Sequence, residues 1–228
     1  MELTIEKLVY GGDGLARLES EGRKKAVFVP LVLPGERVEA AVVEDRPAFT
    51  RARLARVIEP APERNAPPCR YFGECGGCHY QHATYEAQLK LKKEILRETV
   101  SRIARVPLPE VQVHASQPLG YRNRMRMKVA AAREGGTKFV VGYYRLNSHD
   151  LLPVRECPIS SVAINRVLQG LWSMAVTRDL PFGLNEIEFF ANHDDSAVLL
   201  ELLVDQKAET SELIAFAQAL QKEAGNIV

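Results

Sequence analysis

No apolar run in the 228-residue chain approaches the roughly 20 residues that a membrane-spanning helix needs. The opening residues, Met1 to Gly12, bring a charge within two positions and carry no apolar core, so they do not read as a secretory signal. Neither sign of charge dominates. Against 30 Lys and Arg stand 29 Asp and Glu, a formal net charge of +1, so any nucleic-acid surface has to arise from local clustering. A G-x-x-x-x-G-K-S/T phosphate loop is missing, and so is a Gly-rich strand-to-helix turn of the kind that cradles a nucleotide cofactor. Cysteines number four, without the two C-x2-C pairs usual in structural zinc sites. These absences lead to the expectation of a cytoplasmic protein with reduced thiols, no membrane partner and no DNA partner.

What the chain does have is concentrated in Cys69–Gln81, CRYFGECGGCHYQ. Cys69, Cys75 and Cys78 are spaced C-x5-C-x2-C, and Cys157 follows far downstream in Arg-Glu-Cys-Pro. Gly76 and Gly77 let the C-x2-C step fold tightly so that two sulfurs turn toward one centre. By ligand chemistry such a set accommodates zinc or an iron–sulfur cluster. Three cysteines with His79 or His82 make a conceivable zinc site but leave Cys157 unused, whereas a [4Fe–4S] cluster uses all four.

The rest of the chain divides into three parts, an α+β multidomain arrangement. Residues 1–60 carry short β-type runs, Leu3–Val9, Lys25–Val29, Glu36–Val43 and Arg51–Ile58, separated by Gly and Pro turns. That spacing predicts a small OB-like barrel. The Gly11–Gly14 cluster lacks a following helix and reads as a turn. Arg17, Arg23, Lys24, Lys25, Arg51, Arg53 and Arg56 offer the barrel a basic surface, although acidic residues are as frequent there. Residues 61–110 hold the Pro60–Pro68 connector, the cysteine segment, and a helix from Thr84 to about Arg105 with Leu89, Leu96, Val100 and Ile103 on its apolar face. Residues 111–228 predict a central α/β domain built on an antiparallel sheet. Ser160 or Ser161 caps a helix through Thr177 buried by Ile164, Val167, Leu168, Leu171, Trp172 and Ala175. Strands Asn185–Ala191 and Ala197–Val204 follow, then a helix from Thr210 that Gly225 ends. Asn226-Ile227-Val228 resembles the start of another strand, and the expectation is a piece of a longer protein.

The clearest periodicity runs over Tyr121–Ala131. Tyr121, Asn123, Met125, Met127 and Val129 alternate with Arg122, Arg124, Arg126 and Lys128. In a strand these cations share one face. A row of like charges needs compensation, and an anionic phosphate backbone is favoured over carboxylates as its source. Tyr143 and Tyr144 stand near enough to add base-stacking surface, with one of the pair expected in the core.

Several of these features resemble one family. The Gly-Gly-Asp-Gly turn and Phe28–Glu36 (FVPLVLPGE) are similar to a TRAM domain, and the match continues through Cys69–Gln81, Tyr121-Arg122-Asn123-Arg124 and Val154-x2-Cys157-Pro158-Ile159. The whole chain resembles the N-terminal part of the S-adenosylmethionine-dependent RNA uracil-5 methyltransferases, in the 23S rRNA branch that carries both a TRAM domain and a [4Fe–4S] cluster. The resemblance implies that Cys69, Cys75, Cys78 and Cys157 bind the cluster. It implies that the barrel and central sheet grip structured RNA, most simply 23S rRNA, through Arg122, Arg124, Arg126, Lys128, Tyr144, Lys24 and Lys25. It also implies that S-adenosylmethionine and the cysteine nucleophile belong to a separate C-terminal domain, so these residues include no catalytic group. Alternatives are a tRNA uracil-5 methyltransferase and a stand-alone RNA-binding protein with a structural metal.

Overall fold

A computed structural model of the chain describes residues 1–20 and 23–228, with the side chains of Ser20 and Arg23 outside that description. The Arg23 side chain, one of the expected barrel cations, therefore lies outside the described residues. Two compact units emerge: residues 1–73 with 78–115, and residues 74–77 with 116–228.

The first unit opens with β1 (Glu2–Thr4), β2 (Lys7–Leu8), β3 (Gly14–Ser20), β4 (Arg23–Val29), β5 (Arg37–Asp45) and β6 (Phe49–Glu59). Their order in the sheet is β1-β5-β6-β4-β3-β2. β1 and β2 stand at opposite ends of that order yet are consecutive in the chain. The Ile5 amide donates to Glu36 O and the Glu6 amide to Leu15 O, so one run passes from β5 to β3. The sheet thereby closes into the expected barrel, which removes its open edges. Strand β3 is the element the sequence pattern misses. Its Gly, Ala, Arg and Glu are weak strand formers, and pairing with β4 holds it instead. Gly14 opens it because a β-carbon there would lie 2.2 Å from Val32 Cγ2. Gly11 and Gly12 have φ of 98° and 94° and sit in a turn closed by the Gly12 amide on Val9 O, as expected.

The Pro60–Pro68 stretch is packed, where a stiff, unpacked connector is expected of it. Ala61 is buried and Arg64 pairs with the fully buried Glu36, so backbone polar demand and apolar burial tie the stretch to the barrel. Helix α1 (Tyr85–Ala104) is capped by Thr84, whose side chain accepts from the Ala87 amide, and stops at Arg105 in the left-handed conformation. Its buried residues are Ala87, Leu91 and Ile95, which share a core with Leu8, Leu33, Ala61 and Ala83. Segment 61–110 therefore has no core of its own, and the three-part division becomes two. The expected helix face is also corrected. Leu96 is 47% and Ile103 70% exposed, with Leu89 and Val100 half-buried. At about 100° per residue the two apolar stripes lie on nearly opposite sides of the helix. The barrel covers the shorter one.

The second unit comprises β7 (Arg124–Ala131), β8 (Phe139–Tyr144), β9 (Leu151–Pro153), α2 (Val162–Thr177), β10 (Leu184–Ala191), β11 (Val198–Val204) and α3 (Thr210–Ala224). Its sheet is antiparallel throughout, in the order β11-β10-β7-β8-β9. Ser161 caps α2, and every residue of that helix's expected stripe is buried. Trp172 is a core residue whose Nε1 donates to Val154 O at 2.8 Å. Phe216 and Leu220 of α3 are buried, and Gly225 ends it with φ of 74°. The buried faces of Met125, Met127, Val129, Ile187 and Phe189 lie on the side where α2 packs. Ile227 makes a parallel bridge with Val198 at the start of edge strand β11, consistent with a strand beginning there.

Candidate functional site

Strand β7 sets the geometry of the sheet's open face. Register pairs Lys128 with Glu186, Arg126 with Glu188 and Arg124 with Phe190, which places all six side chains on one side. The cationic row exists, but its compensation is corrected. Arg124 Nε and Arg126 Nη2, the latter at 2.6 Å, both donate to Glu188, while Lys128 pairs with Glu186. Carboxylates opposite in register thus do what an external anion was expected to do. Hydrogen bonds from Arg124 and Arg126 hold the Glu188 carboxyl below its usual range, and the bond to Glu186 raises Lys128. Arg124 and Arg126 nevertheless keep 63% and 50% of their side-chain surface open to water.

Tyr144 is exposed, with Lys128 Nζ 5.4 Å from its ring centroid and His149 edge-on at 5.4 Å. Tyr143 is its half-buried neighbour, with an enclosed hydroxyl, so the expected core tyrosine is only partly realised. Arg122 leaves the row. It precedes β7, its amide donates to Ile159 O at 2.8 Å, and its guanidinium lies beside the Tyr143 hydroxyl. Sequence reasoning missed Glu186 and Glu188, whose alternation with Ile187 and Phe189 is the signal that could have found them. It also missed the exposed Phe190–Leu199 pair beside Arg124.

On the barrel, Lys24 is exposed, and Lys25 is 2.5 Å from Asp45. Arg17 pairs with Glu6, Arg51 with Glu44 and Arg56 with Glu39. The barrel surface is consequently mixed rather than basic.

All four cysteines are half-buried. In the first unit the Cys69 amide donates to Gln81 Oε1 at 3.2 Å and the Phe72 amide to Cys69 O. His79 is exposed, whereas His82 is buried with Nε2 at 3.2 Å from Val32 O. In the second unit, residues 74–77 fasten onto the end of β8. The Gly76 amide donates to Tyr144 O at 3.1 Å, the Leu146 amide to Glu74 O at 2.7 Å, and Cys75 bridges Arg145. The Gly77 amide points at Cys75 Sγ, 3.4 Å away. Cys157 is fixed by Asn165, which accepts from its amide at 2.9 Å and donates to its carbonyl at 3.0 Å.

Both of these cysteine segments act electrostatically on the Tyr143 hydroxyl, which is buried and without a hydrogen-bond acceptor among the described residues. Burial first, then the charges of Cys157 and Cys75, push the phenol well above its ordinary range, with Arg122 opposing. Among the described residues, no group of three or more His, Cys, Asp or Glu side chains is gathered for a metal ion. The donor chemistry of four thiols fits an iron–sulfur group, and an orphaned hydroxyl near two of them is the kind of donor such a group satisfies.

Residues 1–55 match the TRAM domain model, so the first unit opens on a TRAM domain. The chain is 34% identical over 215 residues to the 23S rRNA (uracil(1939)-C(5))-methyltransferase of Chromohalobacter salexigens, covering 94% of this chain and 44% of that protein. It is 35% identical to the protein of the same description from Halomonas elongata, covering 96% and 44%. An uncharacterized RNA methyltransferase of Aquifex aeolicus is 39% identical over 183 residues, covering 79% of this chain and 40% of the relative. The crystal structure of Pyrococcus abyssi tRNA (uracil-54, C5)-methyltransferase in complex with S-adenosyl-L-homocysteine shares the fold, with a TM-score of 0.60 at 19% identity over 90% of this chain and 46% of that one. The chain is thus similar over nearly its whole length to RNA uracil-C5 methyltransferases, and it opens on a TRAM domain. It spans less than half the length of these relatives.

Proposed function

We propose that this chain is the RNA-recognition portion of an S-adenosylmethionine-dependent 23S rRNA (uracil-C5)-methyltransferase. The observation that carries the reading is the near-complete alignment of the chain with two relatives bearing that description. Arg124, Arg126 and Lys128 offer phosphate contacts on the open sheet face, Tyr144 offers a ring for a splayed base, and Lys24 and Lys25 add charge on the barrel. Arg122, turned toward Tyr143, supports that face from behind. The S-adenosylmethionine site and the nucleophile are assigned outside residues 1–228, because no cofactor-cradling turn occurs within them. Whole enzymes of this kind take a uridine out of the RNA stack before reacting with it. Residues of this chain would orient the surrounding RNA.

The test is binding at matched salt to a 23S rRNA fragment and to a tRNA, with S-adenosylmethionine present. Preference for the rRNA and no methyluridine are expected. Equal or tighter tRNA binding moves the substrate to tRNA, and product above background overturns the division of roles.

We further propose that Cys69, Cys75, Cys78 and Cys157 hold a [4Fe–4S] cluster that acts as a structural staple. Protein purified without oxygen should carry about four iron and four sulfide per chain, lost in Cys157→Ser. One zinc, indifferent to Cys157→Ser, would instead favour three cysteines and a histidine.

A further inference from the structure

Three buried side-chain atoms of the second unit have no hydrogen-bond partner among the described residues, and Asp195 and Asn226 bond through their other polar atom, whereas Tyr143 has only its hydroxyl. A phenol placed in a core normally finds a partner, and a buried polar atom left without one costs on the order of 1–3 kcal/mol. Tyr143 has Arg122 beside it, but a guanidinium has donors only, so it can steady the phenol oxygen without accepting the phenol proton. That proton has no acceptor among the described residues.

Three segments act electrostatically on the hydroxyl, each held by hydrogen bonds independent of the phenol. Glu74 and Gly76 are fastened to Leu146 and Tyr144, at the end of Tyr143's own strand. Cys157 is held by Asn165 and by the Ser160 amide donating to its carbonyl at 2.9 Å. Arg122 is bridged to Ser160. Two sulfurs, one orphaned donor and one cation are therefore brought to the same place by structure that does not need them there.

We infer that the Tyr143 hydroxyl donates a hydrogen bond to the sulfur shell of the iron–sulfur group carried by Cys75 and Cys157, with Arg122 as its positioning residue. This rests on the four-cysteine reading above. The Gly77 amide aimed at Cys75 Sγ is a second donor of the same kind. Hydrogen bonds to cluster sulfurs stabilise the more negatively charged reduced form, so they raise the reduction potential. Without iron the hydroxyl is a liability; with it, the hydroxyl is satisfied.

The experiment compares wild type, Tyr143→Phe and, as a control, Tyr10→Phe at an exposed turn. Each is examined without iron by urea unfolding, and after anaerobic reconstitution by dye-mediated redox titration and by the time its visible absorption survives in air. Tyr143→Phe should be at least as stable as wild type without iron, because an unsatisfied hydroxyl has been removed. Once loaded it should show a more negative midpoint potential and lose its colour several-fold faster, while Tyr10→Phe matches wild type. A Tyr143→Phe chain stable without iron yet unable to load, beside a normally loading Tyr10→Phe, also supports the role. A loaded Tyr143→Phe of unchanged potential overturns it and leaves the cluster standing. An iron-free Tyr143→Phe that is unfolded or clearly less stable overturns it as well, since the phenol must then be bonded within the protein. Failure of the parent reading looks different: wild type itself takes up no iron and sulfide.

Discussion

Glu36 is fully buried, and its carboxylate is met by the Leu33 amide at 2.8 Å, the Ala61 amide at 3.2 Å and two nitrogens of Arg64. Burial alone would raise its pKa. The bonds from Arg64 and Leu33, the Arg64 charge and the Ala61 amide outweigh that and hold it low. Its contribution to stability is therefore present above the ordinary carboxylate range and lost as pH falls through the depressed folded value. Arg64→Met leaves the charge buried without its cation and should cost about 3–5 kcal/mol at neutral pH by urea unfolding. The loss should shrink on mild acidification, once the stranded carboxyl protonates; a loss independent of pH would argue against the pair. His82 works in a different window. Burial lowers its pKa, and Nε2 must carry the proton to donate to Val32 O, so the ring is neutral when folded. The unfolded chain takes up a proton that the folded chain refuses, so stability should fall as pH drops below about 6.5. His82→Gln keeps a donor for Val32 and should flatten the fall between about pH 7 and pH 5; an unchanged slope would assign it elsewhere.

At the scale of elements, periodicity located every helix but not always its buried side. α2 was legible down to its cap because its apolar stripe is broad and single. α1 carries two stripes, and no rule within the helix says which one meets the barrel. Leu91→Ala should therefore cost about 2–5 kcal/mol of stability, and Leu96→Ala should change it by no more than about 0.5 kcal/mol. Comparable losses at both sites would reverse the assignment. β7 was legible as an alternating strand, but its partner's carboxylates were not, because register between β7 and β10 is a long-range fact absent from either segment. That pairing carries a consequence for RNA. Glu188 competes with phosphates for Arg124 and Arg126, so Glu188→Gln should tighten rRNA binding and steepen its salt dependence. Arg124→Glu with Arg126→Glu should weaken binding and flatten the dependence, since counterion release scales with phosphates contacted. Matching salt slopes in wild type and both folded variants would remove this face from the interface.

At the scale of the whole molecule, the barrel and the antiparallel sheet were each readable from turn spacing and alternation, and the division between the units was not. A boundary was expected near residue 60, where prolines cluster, yet Arg64 and Ala61 bind that stretch to the barrel. The exposed stretch without regular structure runs instead from Arg105 to Tyr121, and the chain passes into the second unit at Ser116. Protease should cut first within residues 106–120, because a substrate must be free of helix and sheet to enter the enzyme. The nick alone should not separate the pieces. Residues 74–77 lie on the N-terminal piece but are built into the second unit through the Gly76–Tyr144 and Glu74–Leu146 backbone bonds and the 2.5 Å pair between Arg145 and Glu74. The two fragments should co-elute on size exclusion in native buffer and part only in denaturant. Fragments that part in native buffer would mean that residues 74–77 hold too weakly to join the pieces. Co-elution in wild type that is lost when Gly76→Pro is combined with Glu74→Ala would locate the join at that short segment, since the first removes the amide that donates to Tyr144 O and the second the carboxylate that pairs with Arg145.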